Sequence, residues 1–251
     1  MSELASYPIA LFVFSFVVLL AAAWVGAFTR RRFPLDEDTR SDYSMLLGAG
    51  LTLMALIIGF SFSMASSRYD QRKNLEEAEA NAIGTEYTRA TLLPASDAAK
   101  VQALMKSYLD LRIRYYTETD GAERRDNATG TAKAQGELWA AILPAAAAAP
   151  TPVTALAVAG MNDVLNAQSY TQAAFRNRIP LSAWNLIGVI ALCCNFMVGY
   201  GVKGRTTARR LLVVFPFFIA IAMAFIADID SPRRGIIKVQ PQNLMSLKES
   251  L

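Results

Sequence analysis

The chain contains no histidine, which removes the usual proton shuttle and the commonest metal ligand before any motif is weighed. What remains for chemistry is sparse. Cys193 and Cys194 are adjacent; a bridge between neighbours is strained and metal-ligand spacing is absent, so both read as small apolar packing residues. The run Gly199-Tyr200-Gly201-Val202-Lys203-Gly204 fits the dinucleotide-binding expression, but it follows an apolar helix rather than a strand, and helix termination is the better account. Asp228 and Asp230 leave an apolar run, Pro232 turns the chain, and Arg233-Arg234 can reach back to acidic partners or to lipid head groups. Two aspartates are a weak metal signal, and a structural clasp is the preferred reading. No serine or cysteine stands beside an activating base. No catalytic residue, metal site or cofactor is therefore assigned, and an enzyme is not expected.

A denser collection of polar groups lies between Ser61 and Glu86. Ser61, Ser63, Ser66 and Ser67 are followed by Arg68, Asp70, Arg72 and Lys73, and then by Glu76, Glu77, Glu79 and Glu86. The serines either wet a wall or bond back to their own helix. The charges suit a solvated helix laced with i,i+4 pairs, such as Arg72 with Glu76 and Lys73 with Glu77.

The element that positions these groups runs from Gly48 to Glu86, apolar in its first half and charged in its second. It has no proline, its glycines are isolated, and Met, Leu, Ala and Glu dominate. A single helix of roughly 35 residues, about 50 Å long, follows. That outruns a bilayer core of ~30 Å, so one half sits among membrane helices and the other belongs to a soluble domain.

The residues are 53% hydrophobic and 18% charged, with the charges crowded into blocks, which argues for a membrane protein. Four windows are long and apolar enough to span: about 8–28, 46–66, 181–202 and 211–227. The last carries Pro216, which a membrane helix tolerates where neighbours or a kink satisfy the freed carbonyl. The first is expected to be a retained anchor rather than a signal peptide: it lacks a positive leading region, its apolar run exceeds ~15 residues, and Arg30-Arg31-Arg32 follows directly. The net charge of +4 sits largely at segment ends, which suits membrane lipids as partners and not nucleic acid.

The positive-inside rule places the loop 29–45, with its triple arginine and Arg40, in the cytoplasm. The loop Lys203 to Arg210 agrees. The block 67–180 and the C-terminal tail 228–251 then face the periplasm of a bacterial inner membrane. Within the block, Ser96 caps a helix to about Thr117, 117–131 is a loop, an alanine-rich helix covers about 132–148, and Thr151-Pro152 opens a fourth helix to about Asn177. A short strand is expected at 235–240.

Gly59-Phe60, then seven residues, then Arg68, Tyr69 and Gln71 resembles the pore-helix signature of bestrophins. The motifs GFSFSMASSRYDQR, EEAEANAIGTEYTRA and FIADIDSPRRGIIKVQPQNL are similar to those of a bacterial family of bestrophin-like membrane proteins, and the likeness covers nearly the whole chain. It implies an all-α fold with four membrane helices, a helical domain between the second and third, and the second continuous with that domain. It further implies a homopentamer passing small inorganic ions. The hydrophobic neck carried over is Thr52, Leu56 and Phe60, with Met64 one turn further on. In a ring of such helices Ser63, Ser67 and Arg68 would form a collar, and Glu76 and Glu79 a negative vestibule. Bestrophins have a longer acidic calcium-binding segment after the last span, absent here, so no calcium site is carried over. The resemblance also puts the helical block in the cytosol; the arginine pattern, preferred here, puts it in the periplasm. The alternative function is a non-conducting scaffold or envelope sensor acting through the helical domain.

Overall fold

The computed structural model describes residues 7–148, 150–202 and 212–251. Among them all regular structure is helical. Helix α1 spans Pro8–Arg32 and α2 Glu37–Arg89, the latter extended by a 3-10 turn, Ala90–Leu92. Then come α3 (Ala95–Thr117), α4 (Gly121–Ala148), α5 (Pro152–Arg176), α6 (Leu181–Gly201), α7 (Val214–Asp230) and α8 (Gln242–Ser250). The chain divides into two compact units, residues 1–68 with 178–238, and residues 69–177 with 239–251. Helix α2 contributes to both.

In the first unit α1 packs mainly against α6 and α7. Its proline start loses nothing, because the first amides of a helix have no intrahelical partner, and its closing Arg30, Arg31 and Arg32 suit the negative helix end. Arg30 also reaches across to donate to the carbonyls of Tyr200 (2.8 Å) and Gly201 (3.1 Å), tying down the end of α6. The crossing of α1 and α6 depends on two glycines. A Cβ at Gly26 would fall 2.0 Å from the Phe196 carbonyl oxygen, and one at Gly199 1.9 Å from that of Ala23. Small residues let membrane helices approach to backbone contact. Gly199→Leu is therefore expected to abolish the α1–α6 crossing, read as loss of a monodisperse peak in detergent, whereas Gly48→Leu, with open space around it, should leave the peak intact.

Three expectations about this unit change. The connection between α1 and α2 is only residues 33–36, not the long loop 29–45, because Glu37 and Asp38 fall in the first turn of α2, where acidic side chains stabilise a helix start. Pro216 is the third residue of α7 and displaces no intrahelical hydrogen bond, so no kink is required. The expected strand at 235–240 is absent: the amides of Ile236 and Ile237 donate to the Asp228 carboxylate instead of to a neighbouring strand. The cationic loop Lys203 to Arg210 lies outside the described residues.

Helices starting at Pro8 and Glu37, and the segment ending at Gly201, are long and apolar enough to cross a membrane. Helix α7 is as apolar but has 17 residues, about 25 Å.

The second unit is a helical bundle around Ile83, Met105, Tyr108, Leu138, Ile142 and Met161, each fully buried. Its α5 opens with a reciprocal capping box, in which the Thr151 hydroxyl accepts from the Thr154 amide while Thr154 Oγ1 accepts from that of Thr151. Helix α3 begins two residues earlier than expected, capped at Pro94 and not Ser96, with the Pro94 carbonyl accepting from Asp97 and Ala98. The expected loop 117–131 shrinks to residues 118–120. The Asp120 carboxylate accepts from the Ala122 amide at 2.6 Å and starts α4 there; Asn127 and Thr131, read as loop residues, are buried on the inner face of that helix.

Candidate pore-lining face and its flanking clasp

The membrane half of α2 has two unlike sides. Met54, Ser61 and Ala65 are buried, at 3%, 3% and 0% exposure. Thr52, Leu56, Phe60, Ser63, Met64 and Ser67 are all exposed, with Leu56 at 52% and Phe60 at 63%. At ~100° per residue these six occupy an arc of about 120°, and the three buried residues a narrow arc on the far side. The structure thus brings the four neck positions and two collar serines onto one uncovered face.

Two polar groups on this half are already satisfied. Thr52 Oγ1 donates to the Gly48 carbonyl at 2.9 Å, which spends its proton within the helix. Ser61 does the same to Ile57 at 2.8 Å and faces inward. An apolar groove of about 740 Å³, lined by residues including Met54, Ile58, Phe62, Ile219 and Phe225, runs beside this half of α2 against α7.

Arg68 does not join the exposed face. Its guanidinium is turned toward Asp230, with Nη1 donating to Oδ1 at 3.5 Å and a side chain only 16% exposed. The Asp230 carboxylate also accepts the Ile179 amide at 3.1 Å and lies 3.7 Å from Arg178 Nε. Asp228 accepts the amides of Ile236 (2.7 Å) and Ile237 (2.8 Å). Gly235 makes that turn possible, since a Cβ there would lie 2.6 Å from the Asp228 carbonyl oxygen. Both aspartates are therefore clasps, holding the end of α7 to Arg68, to the residues before α6 and to the following turn. Among the described residues no group of three or more metal-ligating side chains converges. Arg234 lies over the Tyr7 ring, 4.4 Å from its centroid.

Glu76 and Glu79 are likewise internal, which corrects their placement in a vestibule. Glu76, 1% exposed, accepts the Leu244 amide at 3.0 Å and Asn243 Nδ2 at 2.6 Å. It caps the free amides that open α8. Glu79, 0% exposed, is gripped by Arg112, whose Nε and Nη2 both donate to it, by Tyr116 Oη at 3.3 Å and by Thr171 Oγ1 at 3.1 Å. Burial works against the Arg112 charge, but Glu79 beside it prevails and raises its pKa. Burial first, and then the Glu79 charge, pushes the Tyr116 hydroxyl up and keeps it a donor. Donation from three side chains offsets the cost of enclosing this carboxylate. Sequence reasoning missed Arg112, Tyr116 and Thr171. The one available signal was Arg112, a cation among the apolar residues Tyr108, Leu109 and Ile113.

The fold and this site define an all-helical membrane protein with an apolar helical unit and a second unit rooted on the same α2. The Bestrophin-like domain model matches residues 11–244, and the chain belongs to that family. The chain is similar in fold to solved variants of a bacterial bestrophin homologue from Klebsiella pneumoniae. One, with a tryptophan-to-alanine change, superposes with a TM-score of 0.66 at 13% identity, covering 95% of this chain and 97% of the other. A leucine-to-threonine variant gives 0.67 at 13%, covering 95% and 96%, and a tyrosine-to-alanine variant 0.65 at 14%, covering 95% and 99%. The curated proteins hold no match.

Proposed function

We infer that the chain is an ion channel of the bacterial inner membrane, assembled as a homopentamer around α2, with Thr52, Leu56, Phe60 and Met64 forming a hydrophobic neck. The observation that carries this is the uncovered face of α2. A single protomer leaves bulky apolar side chains at three successive turns of its longest helix without a partner, and a ring of identical helices would set them around one axis. Such rings hold water out until widened or wetted. Ser63 and Ser67 continue the face as a polar wall. Arg68, Glu76 and Glu79 are structural in this reading, so charge selection does not rest on them. The groove between α2 and α7 offers a second apolar surface for assembly or for lipid.

The four spans are α1, the first half of α2, α6 and α7, within membrane segments 1–66 and 181–227; residues 67–180 form the helical domain and 228–251 the tail. The arginines that close α1 stand at the same end as the close of α6, which supports a cytoplasmic location for that end and a periplasmic one for the helical domain. Alkaline phosphatase fused after Leu251 should be active in cells; a fluorescent cytosol-only reporter glowing there would reverse the orientation.

The function itself is tested by ion flux from liposomes carrying the purified protein. Flux above that of protein-free liposomes is expected. An intact oligomer without flux would favour the scaffold reading.

A further inference from the structure

Glu79 and Glu76 show how buried carboxylates in this bundle are provided for, and Glu86, two and three turns further along the same side of α2, is not. It is 0% exposed, and among the described residues neither of its carboxyl oxygens has a hydrogen-bond partner. Opposite it stands Gly160 of α5. A Cβ there would come within 2.0 Å of Glu86 Oε2 and 2.7 Å of Arg89 Nη1, so the carboxyl group occupies the space that any other residue on α5 would fill. The charged groups whose fields reach it are Arg89, just beyond it on α2, and Asp163, one turn past Gly160 on α5. Burial raises the Glu86 pKa to about 8; Arg89 opposes the rise and Asp163 adds to it. Near neutral pH the group is therefore mostly a neutral acid.

We propose that Glu86 is a proton-operated latch: protonated, it fits the hollow at Gly160 and keeps α5 closed on α2, and on giving its proton to solvent it forces α5 to part there and admit water. The sign follows from linkage. The closed packing binds the proton more tightly than an open, hydrated state, in which a glutamate titrates near ~4.3. Closure is thus strongest below that value and weakens by about tenfold per pH unit as pH rises toward about 8. Above that it falls no further. The latch lies wholly within the second unit and does not depend on whether the chain conducts.

Hydrogen exchange of the α5 amides, measured on the full chain in lipid nanodiscs from pH 5 to 9 and corrected for intrinsic exchange, tests it. Opening around Gly160 should increase about tenfold per pH unit and level off near pH 8. Glu86→Gln, which keeps the shape of the protonated acid, should make opening independent of pH. Asp163→Asn removes a charge that raises the Glu86 pKa, so its levelling-off should come at lower pH, and this variant carries the test where Glu86→Gln does not fold. A flat profile in the natural chain, a Glu86→Gln profile like the natural one, or an unmoved Asp163→Asn plateau would each overturn the latch.

Discussion

Phe60→Ala is expected to raise single-channel conductance by roughly tenfold, and Leu56→Ala combined with it by more. If the neck is a ring of Phe60 side chains, the barrier to ions is the cost of passing through an aperture that cannot replace their hydration, and each ~1.4 kcal/mol removed from it is a factor of ten in rate. Five phenyl rings replaced by five methyl groups widen and wet that aperture. The substitution also separates function from stability, because Phe60 is 63% exposed in the protomer and truncating an uncovered side chain costs little in fold. Met54→Ala is the complementary control. At 3% exposure it opens a cavity between helices, costing about 2–5 kcal/mol, while leaving conductance per surviving channel unchanged. Planar-bilayer recordings of the three variants give the comparison. Equal conductance for Phe60→Ala and the natural chain would remove Phe60 from the neck.

The largest effect on stability is expected at Arg112. Arg112→Leu leaves the Glu79 carboxylate fully enclosed with Tyr116 and Thr171 as its remaining donors. Breaking a buried pair from one side costs about 3–5 kcal/mol, since the surviving charge stays out of water. For a chain of this size each kcal/mol moves the midpoint by about 2–4 °C, so a fall on the order of 10 °C is expected. The double variant Glu79→Gln with Arg112→Leu should recover much of the loss, because no unpaired charge remains. A thermal melt of the three proteins in one detergent reads this directly. Were the double variant as unstable as Arg112→Leu, packing around the Arg112 side chain rather than charge would be the cause.

What was legible in the sequence was set by the range over which each feature is determined. The apolar runs of α1, α2 and α6 are local properties of their residues, and the spacing from Gly59-Phe60 to Arg68 pointed to the family that the whole chain then matched. That resemblance singled out Thr52, Leu56 and Phe60, and the helical period of ~3.6 residues puts positions four apart on one face. The fates of the charges were illegible because their partners are far away in the chain. Arg68 meets Asp230 across 162 positions, Glu79 meets Thr171 across 92, and Glu76 meets Leu244 across 168. A run of arginines and glutamates on a long helix reads as solvated, and only tertiary packing turns it inward. The start of α4 was hidden for the opposite reason. Asp120 looks like one more loop residue in a polar run until its carboxylate is seen to cap the helix that follows.

In the proposed pentamer the uncovered face of α2 looks onto a symmetry axis. Single-particle imaging of the purified protein in lipid nanodiscs tests it most directly, through the number of subunits and the radius along the axis. Five copies are expected, with the narrowest points at the levels of Leu56 and Phe60 and the axis bounded by Thr52, Leu56, Phe60 and Met64. A solitary protomer, or a ring in which those four side chains face lipid and another helix lines the axis, would contradict it.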